Sequence, residues 1–241
     1  MNGVLAAERA QVASACVRLA AAGLFIGTAG NVSVRGAGEH AELVAVTATG
    51  AVLADITADE VSVVTLDGAH VAGDFAATSE LELHLGVYRR FGSGAAVHTH
   101  APKSTAAACV LDELPVIHYQ QLLLGGATPV IEFHAFGTHD LAEAVLRGLA
   151  GKQAALLANH GSVAHGPTLG AAIEHALLLE WACGLYLDAS RLGTPRALTE
   201  QQQLAVVQAA LKRGYGRTKP SAGSQPKGIG LLRDRHGRAR A

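Results

Sequence analysis

Apolar residues recur at helical spacing in several segments of the chain. In residues 4–22 they recur three and four positions apart, which predicts an amphipathic helix that ends at Gly23. A proline suits the first turn of a helix, where its missing N–H costs no hydrogen bond. The same criteria predict five more helices: residues 80–90, a segment that starts at Pro102, and residues 138–149, 168–190 and 199–213.

Short apolar and β-branched runs between these helices predict strands. They cover residues 32–35, 42–47, 61–66, 95–99 and 154–158. Strands that alternate with helices, without an internal repeat, predict a layered α/β fold. The final segment, residues 216–241, is rich in Gly, Pro, Ser and Arg and is predicted to be a disordered tail. We therefore expect one globular domain over residues 1–215.

Composition and charge narrow the classes of function. The chain has 241 residues, of which 49% are hydrophobic and 16% charged, enough for one domain with a sizeable core. A formal net charge of −1 predicts no affinity for nucleic acid or for a membrane. The charge is uneven, because residues 216–241 hold seven Lys and Arg against one Asp and leave −7 on the rest. A scaffold that contacts a polyanion through this tail stays open, although solvated disorder is the simpler explanation.

The cysteines and the N-terminal residues favour a cytoplasmic location. Cys16, Cys109 and Cys183 are scattered and odd in number, which argues against a disulfide framework. Each is expected to be a small buried apolar residue. The first residues carry charge where a signal peptide needs an apolar run, and no uncharged apolar stretch reaches the length of about 18 residues that a membrane span requires.

Three histidines suggest a metal site. His98 and His100 flank Thr99 in a predicted strand, so both imidazoles lie on one face and can share a cation. A polar strand end would also explain this pair. His160 follows the strand 154–158, where Gly161 would let the backbone turn sharply. Three histidines with an open fourth position describe a catalytic zinc site.

Glu80 is the carboxylate best placed to act beside these histidines. It opens a predicted helix after Thr78 and Ser79, with Ser79 as the N-cap. Stabilisation of the helix N-terminus by an acidic side chain would also explain it. His84 lies one helical turn later, and we expect it to pack or to support the site without binding a ligand.

Three turns carry hydroxyl or amide groups that can bind an anion without Lys or Arg. They are Gly30-Asn31, Thr49-Gly50 and Thr78-Ser79. Backbone N–H groups in such turns can donate to phosphate oxygens. Taken singly, each is also explained as an ordinary turn.

Together these segments resemble the class II aldolase/adducin family over residues 4–215, and within it the L-fuculose-phosphate aldolases. The matching segments are 27–35, 49–50, 79–80, 98–101, 117–119, 136–138 and 159–161, which include His98-Thr99-His100 and Asn159-His160-Gly161. The resemblance implies a single-domain three-layer α/β/α sandwich with a central β-sheet. It also implies a ring-shaped homotetramer with active sites between subunits.

The resemblance assigns roles to particular residues. His98, His100 and His160 would bind one Zn²⁺ per subunit, and Glu80 would be the catalytic acid/base and the fourth ligand when substrate is absent. Tyr119, supplied by a neighbouring subunit, and Tyr215 would complete the catalytic set. The substrate phosphate would be bound by Thr28, Gly30, Asn31, Thr49, Gly50, Thr78 and Ser79.

The expected reaction is cleavage of a ketose 1-phosphate, such as L-fuculose 1-phosphate, to dihydroxyacetone phosphate and a short aldehyde such as lactaldehyde. The cleavage leaves negative charge on an enediolate, which a divalent ion stabilises. Decarboxylases and dehydratases of the family can keep the same histidines and glutamate, so they remain alternatives. Pentulose-phosphate 4-epimerases carry aspartate at the position of Glu80, which makes them a less favoured alternative. Adducin-like loss of the metal ligands does not apply to this chain.

Overall fold

The computed structural model describes residues 3–213, which contain six α-helices and nine strands. The strands are β1 (Asn31–Arg35), β2 (Leu43–Thr47), β3 (Val61–Thr65), β4 (His70–Ala72), β5 (Ala95–Thr99), β6 (Glu113–Leu114), β7 (Thr128–Ile131), β8 (Ala154–Leu157) and β9 (Gly161–Gly166). The helices are α1 (Ala6–Ala21), α2 (Leu81–Phe91), α3 (Pro102–Ala108), α4 (His139–Gly148), α5 (Leu169–Leu192) and α6 (Glu200–Arg213).

All nine strands join one sheet in the order β4-β3-β2-β1-β5-β9-β8-β7-β6. Neighbouring strands are antiparallel except β7 and β8, which are parallel. At the centre, Asn31 of β1 pairs with His98 of β5, and Thr99 of β5 pairs with Ser162 of β9. The central strands therefore bring their polar ends to one edge of the sheet.

Helices cover both faces of the sheet, because successive residues of a strand point to opposite sides. In β5, Val97 packs in the core beneath α1, α3 and α5, whereas Ala96 packs in the core beneath α2 and α4. The result is a sheet between two helical layers. The predicted three-layer α/β/α fold is confirmed.

The chain divides into two compact units, Met1–Gln203 and Leu204–Ala241, and α6 crosses the division. The first unit contains the whole sheet. The domain boundary predicted at residue 215 lies outside the described residues, as does the tail 216–241, and both stay predictions. Within residues 3–213, no helix combines the length and the hydropathy needed to cross a membrane.

Several local predictions were wrong. Four strands were missed, namely β4, β6, β7 and β9. Ser79 does not cap α2, since the N-cap residue is Glu80 and its side chain makes no capping hydrogen bond. Cys16 and Cys183 are buried as expected, but Cys109 is exposed. The cysteines are free in the described part of the chain, as their spacing predicted.

Candidate metal centre

The three predicted metal-binding histidines converge at the edge of the sheet. His98 and His100 come from the end of β5, and His160 comes from the turn between β8 and β9. Because β9 pairs with β5 through Thr99 and Ser162, the turn lies directly beside the two β5 histidines. Each pair of imidazole centroids is separated by 4.8 Å. This is close enough for three nitrogen atoms to bind one ion.

The orientation of His98 suits a metal ligand. Its Nδ1 lies 2.9 Å from the backbone carbonyl of Ser162, to which it donates, so Nε2 is the nitrogen left to bind an ion. That Nε2 faces Nε2 of His100 at 2.9 Å. Histidines that bind metals commonly donate their second N–H to a carbonyl in this way, which fixes the tautomer and the ring orientation.

Glu80 completes a cluster of four potential ligands with His98, His100 and His160. Its Oε2 lies 3.0 Å from His98 Nε2, and its Oε1 lies 3.4 Å from His160 Nε2. The four ligand atoms all lie within 4.8 Å of one another, and Oε1 is buried without a hydrogen-bond partner. Three nitrogens and one carboxylate oxygen match the ligands that Zn²⁺ prefers. The residues therefore fit a metal ion, while the identity of that ion stays a prediction.

The protonation of the cluster favours metal binding. Burial alone would raise the pKa of Glu80, but the charge and hydrogen bond of His98, the hydrogen bond of Asn31 and the charge of His160 outweigh it and hold that pKa below its usual range. Burial, together with the charges of His98 and His160, lowers the pKa of His100 to about 4 despite Glu80. Burial and His98 also lower the pKa of His160. At neutral pH Glu80 is thus an anionic carboxylate, and His100 and His160 are neutral imidazoles.

The residue that allows the sharp turn at His160 is not the predicted one. The left-handed residue is Asn159, with φ of 55°, and not Gly161. Asparagine tolerates this conformation better than most residues with a side chain. Glycine is needed at position 161 for clearance, because a Cβ there would lie 2.2 Å from the carbonyl oxygen of Thr99. The two residues together let β9 begin against β5.

A cleft of about 440 Å³ opens above the cluster. Backbone hydrogen bonds hold two of the polar turns together there: Thr49 N–H donates to Ala76, and Thr78 N–H donates to Thr47. Every residue predicted to bind phosphate lines this cleft: Thr28, Gly30, Asn31, Thr49, Gly50, Thr78 and Ser79. The turns that the family resemblance grouped into one site therefore do lie together, whereas their phosphate-binding role stays a prediction.

The wall of the cleft contains no Lys or Arg among the residues that the structure describes. An anion there would meet hydroxyl, amide and backbone N–H donors instead of a positive side chain. At Gly30 the backbone has φ of +106°, and a Cβ would meet the ring of Phe25 and the carbonyl oxygen of His98 within 2.8 Å. Glycine therefore lets this turn approach the end of β5.

Other lining residues were missed or lie elsewhere. Phe133 and His134 line the cleft in the loop after β7 and were missed, whereas the lining residues Phe136 and Asn159 belong to the segments 136–138 and 159–161 that resemble the family. Tyr119 begins the 3₁₀ helix Tyr119–Leu124, is 39% exposed and is not among the described residues that line this cleft. Tyr215 lies outside the described residues.

The layered α/β fold and the four-residue cluster define a candidate metalloenzyme. The chain belongs to the Class II Aldolase and Adducin N-terminal domain family, which matches residues 10–187.

Relatives and solved structures agree with this membership. The chain is similar to 5-deoxy-D-ribulose 1-phosphate aldolase of Bacillus thuringiensis serovar kurstaki, with 31% identity over 83% of this chain and 93% of the relative. It is similar to L-fuculose phosphate aldolase of Escherichia coli K12, with 32% identity over 82% of this chain and 90% of the relative. A solved L-fuculose 1-phosphate aldolase superposes with a TM-score of 0.79 and 27% identity, over 84% of this chain and 95% of that one. The predicted family and the predicted enzyme class, a class II aldolase, are confirmed.

Proposed function

We propose that this chain is a zinc-dependent aldolase that cleaves a ketose 1-phosphate to dihydroxyacetone phosphate and a short aldehyde. The observation that carries the proposal is the convergence of Glu80 with three imidazoles at the floor of a cleft lined by neutral hydrogen-bond donors. The names of the relatives suggest two substrates, L-fuculose 1-phosphate and 5-deoxy-D-ribulose 1-phosphate. Cleavage between C3 and C4 would yield lactaldehyde from the first and acetaldehyde from the second.

The chain contributes the ligands, the binding turns and the proton-transfer groups. His98, His100 and His160 would hold the ion, with Glu80 as a further ligand before substrate binds. When bound, a divalent ion supplies Lewis-acid stabilisation of negative charge on the substrate oxygens, worth several kcal/mol. Three neutral imidazoles suit that chemistry, because they leave the charge of the ion uncompensated.

The polar turns would orient the substrate through its phosphate. The Thr49-Gly50 and Thr78-Ser79 turns are joined by backbone hydrogen bonds, which makes them a preformed cradle. Thr28 and Gly30 extend it along the same cleft. Fixing the phosphate also fixes C3 and C4 of the substrate relative to Glu80. Binding energy is thereby converted into positioning at the bond that breaks.

Two groups would move the protons. In cleavage, Tyr119 accepts the proton of the C4 hydroxyl as the C3–C4 bond breaks and its electron pair stays at C3. Glu80, which would take up a proton from solvent once substrate replaces it as a ligand, delivers that proton to C3 and so completes dihydroxyacetone phosphate. Tyr119, which acts in its deprotonated form, then gives its proton to solvent, so both groups are restored. In the reverse direction Glu80 removes that proton and Tyr119 donates to the aldehyde oxygen.

This role for Tyr119 requires a second copy of the chain. Tyr119 does not line the cleft among the residues described for one chain, and its side chain is 39% exposed. From the family resemblance we propose a homotetramer in which Tyr119 reaches the cleft of a neighbour, with Tyr215 as a further catalytic residue. A cytoplasmic location belongs to the same proposal and is supported by three unpaired cysteines.

Metal analysis combined with a substrate panel tests the proposal. Purified protein should contain about one zinc per chain and should release dihydroxyacetone phosphate, detected by a coupled dehydrogenase, from at least one of the two ketose 1-phosphates. A chelator should abolish that release and Zn²⁺ should restore it. Release of CO₂ or loss of water from a related sugar phosphate, without dihydroxyacetone phosphate, would favour a decarboxylase or dehydratase instead. Full activity of metal-free protein would refute the proposal.

A further inference from the structure

A chain of buried hydrogen bonds leads away from the catalytic carboxylate into the protein interior. Asn31 Nδ2 lies 3.0 Å from Glu80 Oε2, and Asn31 Oδ1 is bonded to Nε2 of His84. Nδ1 of His84 lies 2.6 Å from the hydroxyl of Ser33, which is in turn bonded to the hydroxyl of Tyr88. All five side chains are buried, and His84 is completely inaccessible. Neither His84, Ser33 nor Tyr88 has a part in the mechanism above.

The direction of every hydrogen bond follows from the ionised carboxylate. Glu80 can only accept, so Asn31 must present its NH₂ group to Glu80 and its oxygen to His84. His84 Nε2 must then carry a hydrogen. Burial and the charge of His98 lower the pKa of His84 to about 3 although Glu80 opposes them, so the ring is neutral and its Nδ1 accepts. Ser33 therefore donates to His84, and Tyr88 donates to Ser33.

The side-chain amide of Asn31 depends on its hydrogen bond with His84 to keep its orientation. Its side-chain amide could rotate by half a turn and face Glu80 with its oxygen, which would place an acceptor against a carboxylate. The N–H of His84 opposes that rotation, because it would then face the NH₂ group of Asn31. In the observed orientation one N–H of Asn31 binds Glu80 and the other remains available to a phosphate oxygen.

We propose that His84 is a positioning residue, which fixes the Asn31 amide and thereby holds the Glu80 carboxylate in place to bind the metal ion and to transfer the proton. Ser33 and Tyr88 serve the same end by fixing the tautomer of His84. This inference rests on the proposed function, since it concerns the same carboxylate. Groups that orient metal ligands from behind commonly change metal affinity or activity about 10–100-fold when they are removed.

The chain contains a matched control. His165 is also buried, its Nδ1 lies 2.7 Å from the hydroxyl of Ser93, and its Nε2 lies 3.0 Å from the backbone carbonyl of Lys152. It does not contact the metal cluster. A substitution at His165 therefore disturbs a buried serine–histidine pair without disturbing Glu80.

The test is a titration of metal-free, full-length protein with Co²⁺, whose visible absorption reports binding to nitrogen and oxygen ligands. We expect His84→Leu to weaken Co²⁺ binding about 10–100-fold. His84→Gln keeps an N–H donor near the position of Nε2 and should stay close to wild type. His165→Leu should lower the unfolding temperature comparably but leave Co²⁺ affinity unchanged.

Wild-type affinity in His84→Leu, or equal losses in His84→Leu and His165→Leu, would overturn the positioning role. If His84→Leu does not fold, Ser33→Ala takes its place, because it keeps the imidazole and removes the donor that fixes its tautomer; a loss of affinity supports the role and wild-type affinity overturns it. Co²⁺ binding needs no substrate, so the result stands even if no ketose phosphate is cleaved. Conversely, cleavage by the wild type with unchanged Co²⁺ affinity in His84→Leu would overturn this inference alone.

Discussion

Two buried serine–histidine pairs in this chain look alike and serve different ends. In both, Nδ1 of the imidazole lies within 2.7 Å of a serine hydroxyl, Ser33 for His84 and Ser93 for His165. The partner of Nε2 differs. His84 faces a side-chain amide that can rotate, whereas His165 faces the carbonyl of Lys152, which the backbone holds in place.

The difference shows that burial and hydrogen bonding do not by themselves mark a functional histidine. The His165 pair ties β9 to the chain segments before β5 and β8, and its ring stacks on Phe91 with centroids 5.2 Å apart. The His84 pair ends at a carboxylate that also meets two potential metal ligands. The hydrogen-bond partner of Nε2 decides whether such a pair only stabilises the fold or also orients a reactive group.

The largest effect should follow from removing the carboxylate at the end of the His84 pair. We expect Glu80→Gln to slow exchange of the C3 proton of dihydroxyacetone phosphate about 10²–10⁴-fold, the usual contribution of a general acid/base. Exchange into deuterated water, followed by NMR, measures this in the zinc-loaded protein. His165→Gln is the control and should exchange at close to the wild-type rate. Undiminished exchange in Glu80→Gln would remove Glu80 from the mechanism.

One glycine near the metal cluster and one near the His165 pair can each be replaced by alanine to introduce a steric clash of similar size. A Cβ at Gly161 would lie 2.2 Å from the carbonyl oxygen of Thr99, and a Cβ at Gly94 would lie 2.2 Å from that of Pro167. Overpacking of this kind costs about 1–3 kcal/mol, so both alanine variants should lose comparable stability in urea unfolding of metal-free protein.

Only Gly161→Ala should also weaken Zn²⁺ binding, because it forces β9 and the adjacent His160 away from β5. Competition with a chromophoric chelator measures that affinity. Gly94 follows Ser93 and lies beside the His165 pair, far along the strand from the cluster. Equal loss of Zn²⁺ affinity in both variants would mean that the cluster responds to general loosening of the sheet.

The smallest effect concerns acid sensitivity. Burial and the charge of His98, opposed by Glu80, lower the pKa of His84 from 6.5 to about 3, and burial is also the main cause that lowers the pKa of His165. A histidine with a lowered folded-state pKa takes up its proton in the unfolded state first, so stability falls as pH drops below about 6.5. For His84 this loss continues towards pH 3.

In His84→Gln the free energy of unfolding should therefore fall less steeply on acidification, by up to about 1.4 kcal/mol per pH unit. Urea unfolding of metal-free protein between pH 7 and pH 5 measures this slope. His165→Gln should flatten it in the same direction. Wild-type and variant curves that run parallel over this range would contradict the burial-driven shifts.

How far the sequence predicts this structure depends on the kind of residue in each element. The strand at residues 95–99 was predicted with its observed bounds, because it begins with the apolar run Ala95-Ala96-Val97. β9 was missed, because Gly161–Gly166 begins and ends in glycine and contains serine and histidine, although all six residues are buried between β5 and β8. β7 contains Pro129, which removes a strand donor and conceals the pattern.

The features of the candidate site also differ in how far the sequence predicts them. The spacing of His98 and His100 predicted a shared face, and the strand end before His160 suggested a third ligand, but their convergence depends on the pairing of β5 with β9. The role of Glu80 came from family resemblance, since position alone also fitted a helix N-terminus. The contacts of Asn31 with Glu80 and His84 join residues 49 and 53 positions apart, and no local pattern contains that information.

The left-handed backbone at Asn159 limits how this part of the chain can diverge. Its φ of 55° is costly for most L-residues and least so for glycine, asparagine, aspartate and histidine. Any branched or bulky replacement would have to relax the turn, and the imidazole that follows it would move. The residue before His160 is therefore constrained by its backbone conformation, so a substitution that touches none of the four potential ligands can still displace one of them.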